Sequence, residues 1–171
     1  MEEIARFGGI EHNIVIMLDA LQSLERILAD LYYRASHISP SDWRLLLRYI
    51  ADLCTRHAEY ISQTYYEANL IEKMLSPAEL KEIVIESKRV LGDVAEIYKN
   101  VRDSSNLKEI LTAIESIEEM EKIILETYDI LGKLEDTEEQ LPIATLFKVI
   151  SEECKVRRDA LKELVRRSLD R

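Results

Sequence analysis

Glu25 stands seven residues before Tyr32, and Glu121 stands seven before Tyr128. Both pairs lie in segments that match along their length: Leu21-Gln-Ser-Leu-Glu-Arg-Ile-Leu-Ala-Asp-Leu-Tyr32 and Ile117-Glu-Glu-Met-Glu-Lys-Ile-Ile-Leu-Glu-Thr-Tyr128. A second match follows each of them. Ile50-Ala-Asp-Leu-Cys-Thr-Arg-His57 pairs with Ile150-Ser-Glu-Glu-Cys-Lys-Val-Arg157, so that Cys54 and His57 in one half answer to Cys154 and Arg157 in the other. Carboxylate, thiol and imidazole are metal ligands. Cys54 and His57, three apart on a helix, can reach one ion, and Cys154 and Glu25 would complete a tetrahedral set suited to zinc or iron. The two thiols could instead pair as a disulfide, provided their α-carbons approach within about 7 Å.

These residues must be carried by helices. The 171 residues include four Gly and three Pro, and 47% are hydrophobic. The apolar ones recur at helical spacing, as in Leu21, Leu24, Ile27, Leu28 and Leu31 or Ile114, Ile117, Met120, Ile124 and Tyr128, which predicts an all-α chain with these stripes in its core. The first helix is expected from about Ile10, after Gly8-Gly9, to His37. Ser39-Pro-Ser-Asp42 predicts a second, with Ser39 as cap, Pro40 at the first helical position and a continuation to about Leu75. Ser76-Pro-Ala-Glu79 opens a third that fades near Arg102-Asp-Ser-Ser105. Asn106-Leu-Lys-Glu109 opens a fourth ending near Gly132. The last starts between Thr137 and Pro142, with Thr137-Glu-Glu-Gln140 as a possible capping box. Short connections make helices one and two, and four and five, antiparallel hairpins. The third is long enough to return the chain along the whole assembly.

The chain therefore reads as one domain over 1–171: repeat one 10–75, a crossover helix 77–102, and repeat two 106–170. Two duplicated hairpins joined by a crossover make a four-helix bundle of ferritin-like arrangement. At these residues the chain resembles the rubrerythrin-type branch of the ferritin-like superfamily over nearly its full length. In that family two helices each present a Glu, often with a Tyr seven residues on, and two present Glu-x-x-His, together holding two iron or manganese ions. The resemblance places Glu25 and Glu121 at the single-Glu positions and His57 at one of the His positions. Cys54 and Cys154 stand where the bridging Glu residues belong, and Arg157 replaces the second His.

These departures imply a degenerate di-metal centre. Paired hard ions need bridging carboxylates, and a guanidinium has no lone pair to give. Arg157 would supply the missing positive charge beside Glu121, shared with Glu25, while the thiols act as small apolar residues. The expected function is that of a non-catalytic structural or interaction module without a cofactor. The alternative is a rubrerythrin-like oxidoreductase that uses one iron or zinc ion at Glu25, Cys54, His57, Glu121 and Cys154.

Composition limits the partners. A net charge of −10 argues against nucleic acid. The basic stretch from Lys155 to Arg171 follows the acidic one from Glu109 to Glu139, and it is read as complementing that helix and its own macrodipole. No apolar run approaches a membrane span, and the start Met-Glu-Glu-Ile-Ala-Arg is unlike a signal peptide, so a cytoplasmic protein is expected, open to homo-oligomerisation. With 33% charged residues and seven Asn and Gln, the composition leans towards a thermophilic source. His12 and His37 are read as surface or capping residues, Trp43 as a packing anchor, and Tyr49, Tyr60, Tyr65 and Tyr66 as packing residues with wet hydroxyls.

Overall fold

A computed structural model describes residues 13–133 and 142–169, and among these the regular structure is entirely helical. The helices are α1 (Asn13–Ile38), α2 (Ser41–Gln63), α3 (Ala68–Met74), α4 (Pro77–Val101), α5 (Leu107–Gly132) and α6 (Pro142–Leu169), with a 3-10 turn at Thr64–Glu67 between α2 and α3. Ile10, Gly8-Gly9, His12 and the Thr137–Gln140 box lie outside the described residues. No helix among the described residues is long and apolar enough to cross a membrane.

Each long helix buries one stripe, and each stripe carries polar residues in register with its apolar ones. On α1, Leu21, Leu24, Leu28 and Leu31 are buried together with Glu25. On α5, Ile114, Ile117, Ile124 and Tyr128 share their face with Glu118 and Glu121. On α2, Leu47, Ile50 and Ile61 flank Cys54 and His57, and on α6, Phe147, Ile150 and Leu161 flank Cys154 and Arg157. Three- and four-residue spacing thus drives the polar groups inward along with the aliphatic ones.

The directions of the helices follow from their links. Only residues 39 and 40 join α1 to α2, so these two run antiparallel, and Gln22 on α1 accordingly reaches the carbonyl of Ala58 late on α2. From Tyr32 back to Glu25 on α1, the hydrogen-bond partners advance along α5 from Glu118 to Tyr128, so α1 and α5 are also antiparallel. Tyr98 and Val101 of α4 meet Asp30 and Arg34 of α1 in the same order, at separations of 68 and 67 residues, which makes α4 parallel to α1. The 25 residues of α4 span about 38 Å at ~1.5 Å each. They pack against both α1 and α5, α5 packs against α6, and α2 meets α6 only sparingly.

Cap chemistry explains the agreements and the corrections. Ser76 accepts from the amide of Glu79 while its own amide donates to the Glu79 carboxylate, a complete capping box with Pro77 in the first turn. Asn106 caps α5 through the amide of Lys108. Ser39, expected to cap α2, instead donates to the carbonyl of Ser36 and finishes α1, so that Pro40 takes the cap position without a side-chain bond. The second helix does not continue to Leu75. Thr64 turns its hydroxyl back to the carbonyl of Ile61, Tyr65 is drawn to Asp19 on α1, and Glu67 leaves the helical region at φ −102°, ψ 5°. Of the four tyrosines expected to pack, Tyr65 does so and Tyr49, Tyr60 and Tyr66 are exposed. Trp43 is buried, and His37 closes back on the carbonyl of Tyr33.

Two glycines give contrasting packing tests. A Cβ at Gly92, inside α4, would meet nothing within 4 Å, whereas at Gly132 it would come within 3.3 Å of the Lys148 backbone on α6. Gly92→Ala should raise stability by about 0.5–1 kcal/mol through helix propensity. Gly132→Ala should gain less or lose. Urea midpoints compared at constant m-value check both.

Candidate functional site

Arg157 is the largest fully buried side chain among the described residues, and every nitrogen of its guanidinium has an acceptor. Nε donates to Glu118 Oε1 at 3.0 Å, and Nη1 donates to Glu25 Oε2 at 3.0 Å and to Cys54 Sγ at 3.3 Å. Nη2 donates to Glu121 Oε1 and, at 3.4 Å, to Glu118 Oε2. Helices α1, α2, α5 and α6 therefore converge on one planar cation. Tyr32 donates to Glu118 at 2.6 Å and Tyr128 donates to Glu25 at 3.2 Å, so each tyrosine serves the carboxylate of the opposite repeat. Tyr128 is itself stacked on Phe147, with ring centroids 5.9 Å apart.

A second group adjoins the first through Glu25. His57 Nδ1 lies 3.4 Å from Glu25 Oε1, and Cys154 Sγ lies 3.7 Å from that oxygen and 4.0 Å from Nδ1. His57 Nε2 meets Glu153 Oε2 at 2.8 Å, and Glu153 is half-exposed where α2 faces α6. The carboxylate can only accept here, so Nε2 carries the hydrogen.

One guanidinium cannot neutralise three carboxylates, and the cluster divides them. Burial acts to raise the Glu25 carboxyl, but the charge of Arg157, helped by His57 and Tyr128, holds it at about 2. Glu121 goes the other way. Burial is again the largest influence; Arg157 opposes it, and the neighbouring charges of Glu118 and Glu25 tip the balance upward. Its Oε2 has no hydrogen-bond partner, while a neutral carboxyl can still accept from Arg157 through Oε1. Glu121 is thus the member of the cluster that keeps its proton. Burial pushes both thiols well up, against the pull of Arg157. Arg157 stays charged: burial works against it, and the surrounding acidic groups outweigh that cost.

All six residues singled out by the repeat, Glu25, Cys54, His57, Glu121, Cys154 and Arg157, are buried in this one cluster. They do not form one ligand set. Cys54 accepts from Arg157 Nη1 and does not join the His57 group, despite the three-residue spacing. Only Glu25, His57 and Cys154 bring ligand atoms within 4.8 Å of one another. Cys54 and Cys154 are separate thiols. Two functional residues escaped the repeat comparison, Glu118 and Glu153, since their counterparts are Gln22 and Leu53. The signal for Glu118 was its place one turn before Glu121 on the buried stripe. For Glu153 it was adjacency to Cys154.

No family model matches this sequence, and neither a curated protein nor a solved structure matches it.

The two carboxyls should respond oppositely to neutralisation. A carboxyl lowered on folding contributes stability that is present above its ordinary value of 4.5 and is lost as pH falls towards 2. A raised one costs stability as pH climbs above 4.5, because the unfolded chain releases a proton that the native state retains. Glu121→Gln, which mimics the neutral acid, should change stability by no more than about 1 kcal/mol at neutral pH and flatten its decline on the alkaline side. Glu25→Gln should cost about 3 kcal/mol or more, since it removes the ionised partner of Arg157 Nη1 from a fully buried site. Denaturant unfolding across a pH series distinguishes them.

Proposed function

We propose that this protein is a ferritin-like helical bundle of rubrerythrin type whose di-metal centre has given way to an internal cation. It works as a structural or interaction module and not as a di-iron oxidase. The observation that carries this reading is the position of Arg157, whose guanidinium donates to Glu25, Glu118 and Glu121 at once. A cation held among carboxylates from opposing helices is what such a centre has. Here the cation is covalently part of α6.

The donor set does not fit a metal pair. The positions that would bridge two ions are the thiols Cys54 and Cys154, and the position of the second histidine is a permanent cation that repels a second ion. Glu118 and Glu121 already spend oxygens on Arg157. The module role draws on the surface. Leu45 and Tyr49 on α2 and Val149 and Val156 on α6 are exposed apolar side chains of the kind that contact a partner, including a second copy of this chain.

Arg157→Ala should destabilise the fold by about 3–5 kcal/mol, the usual consequence of stranding buried carboxylates, in denaturant unfolding at neutral pH. A loss below about 1 kcal/mol would mean that the cluster does not depend on its internal cation. Aerobic addition of ferrous iron to the wild type should produce no catalytic oxygen consumption and no binding beyond one ion per chain. Two irons per chain with oxygen uptake would return the protein to the oxidase class.

A further inference from the structure

The half of the cluster that Arg157 does not fill has the shape of a metal site. We propose that Glu25 Oε1, His57 Nδ1 and Cys154 Sγ bind one divalent ion of the zinc class, with Glu153 orienting the histidine from outside and a fourth coordination position left open. The inference rests on the reading of Arg157 as the resident cation of the other half. It is independent of the module role.

The geometry is close to what an ion requires. Zinc sits ~2.3 Å from sulfur and ~2.0–2.1 Å from nitrogen or oxygen, so three tetrahedral ligand atoms lie roughly 3.3–3.6 Å apart. The three separations here are 3.4, 3.7 and 4.0 Å, between atoms on α1, α2 and α6. Small side-chain shifts close the difference, with no displacement of a helix. One thiolate, one imidazole and one carboxylate favour zinc, cobalt(II) or cadmium over magnesium or calcium, which prefer all-oxygen shells. Three protein ligands with a vacant fourth position is the pattern of an open site, not of a closed structural one.

The surrounding contacts orient two of the three ligands. Glu153 meets His57 Nε2 at 2.8 Å and so turns Nδ1 inward towards Glu25 and Cys154, the carboxylate–histidine pairing found behind metal-bound imidazoles. Arg157 holds Glu25 Oε2 at 3.0 Å and thereby orients Oε1 towards His57 and Cys154. Binding replaces the S–H bond of Cys154 by a metal–sulfur bond and releases that proton to water, along with any proton on His57 Nδ1. The dipositive ion is then balanced by Cys154 thiolate and Glu25 carboxylate, and Arg157 retains Glu118. Glu153, half-exposed on the sparsely packed α2/α6 seam, marks the side from which an ion would enter.

Cobalt(II) is the direct probe, because thiolate ligation gives a charge-transfer band in the near ultraviolet and tetrahedral geometry gives strong visible bands. Titration of the reduced full-length protein should saturate at one equivalent with both signatures, and zinc should bleach them by displacement. Cys54→Ser should leave the titration unchanged, Cys154→Ser should lose the charge-transfer band, and Glu153→Gln should keep the band but bind about 10–100-fold more weakly. Zinc should raise the melting temperature of the wild type, a readout available even where Cys154→Ser folds poorly. A wild type without a thiolate band, or a band lost in Cys54→Ser and kept in Cys154→Ser, would overturn the site. Neither result touches the oxidase test above, which turns on two irons per chain.

Discussion

A charged guanidinium with no access to water is the constraint to which the rest of the interior is fitted. Removing Arg157 from solvent costs several kcal/mol, recovered only where each N–H finds an acceptor in good geometry. The acceptors come from α1, α2 and α5 while the donor comes from α6, so four helices must agree in rotation and in height within the reach of one planar group. A purely aliphatic interior would tolerate a helix sliding by a fraction of a turn. This one would strand a charge. The cluster thus acts mainly as a register device, and its net contribution to stability is small beside what would be lost by breaking it.

Glu25 is the hinge of the electrostatics because its two oxygens face different company. Oε2 belongs to Arg157, and Oε1 is shared by Tyr128, His57 and Cys154. The fixed cation on one side keeps this carboxylate ionised. It is thereby held ready on the other side for a group that needs an anion. Glu121, on the other nitrogen of the guanidinium, is more strongly governed by burial and by the neighbouring charge of Glu118, and it keeps its proton. Two carboxylates at matching places in the repeat thus end in opposite states.

What could be read in the sequence was what local chemistry decides. Ser76 with Glu79 and Asn106 with Lys108 are caps completed within four residues, and the structure starts helices where they stand. The inward set was readable from its stripe, since Glu25, Glu121, Cys54, Cys154, His57 and Arg157 share spacing with Leu and Ile. The end of α2 was not readable, because Thr64–Glu67 tightens around a contact between Tyr65 and Asp19 that exists only after α1 has docked. Nor was the true partner of Cys54, which depends on how far an arginine from α6 extends. The two halves agree or correspond at those six inward positions. Glu118 and Glu153 lie where the halves differ, opposite Gln22 and Leu53, and so carry no repeat signal.

Those differences limit how alike the two hairpins can be. Tyr32 and Tyr128 each bond across to the other repeat, an arrangement that a symmetric pair of identical hairpins could also make. The interior of this protein could not be built from such a pair. Two copies of the first hairpin would bury two histidines and two carboxylates with no guanidinium, and two copies of the second would press two guanidinium groups together in one cavity. The halves as they stand are not interchangeable: the second supplies the guanidinium and two of its carboxylates, and the first supplies the third carboxylate, the thiol of Cys54 and the imidazole.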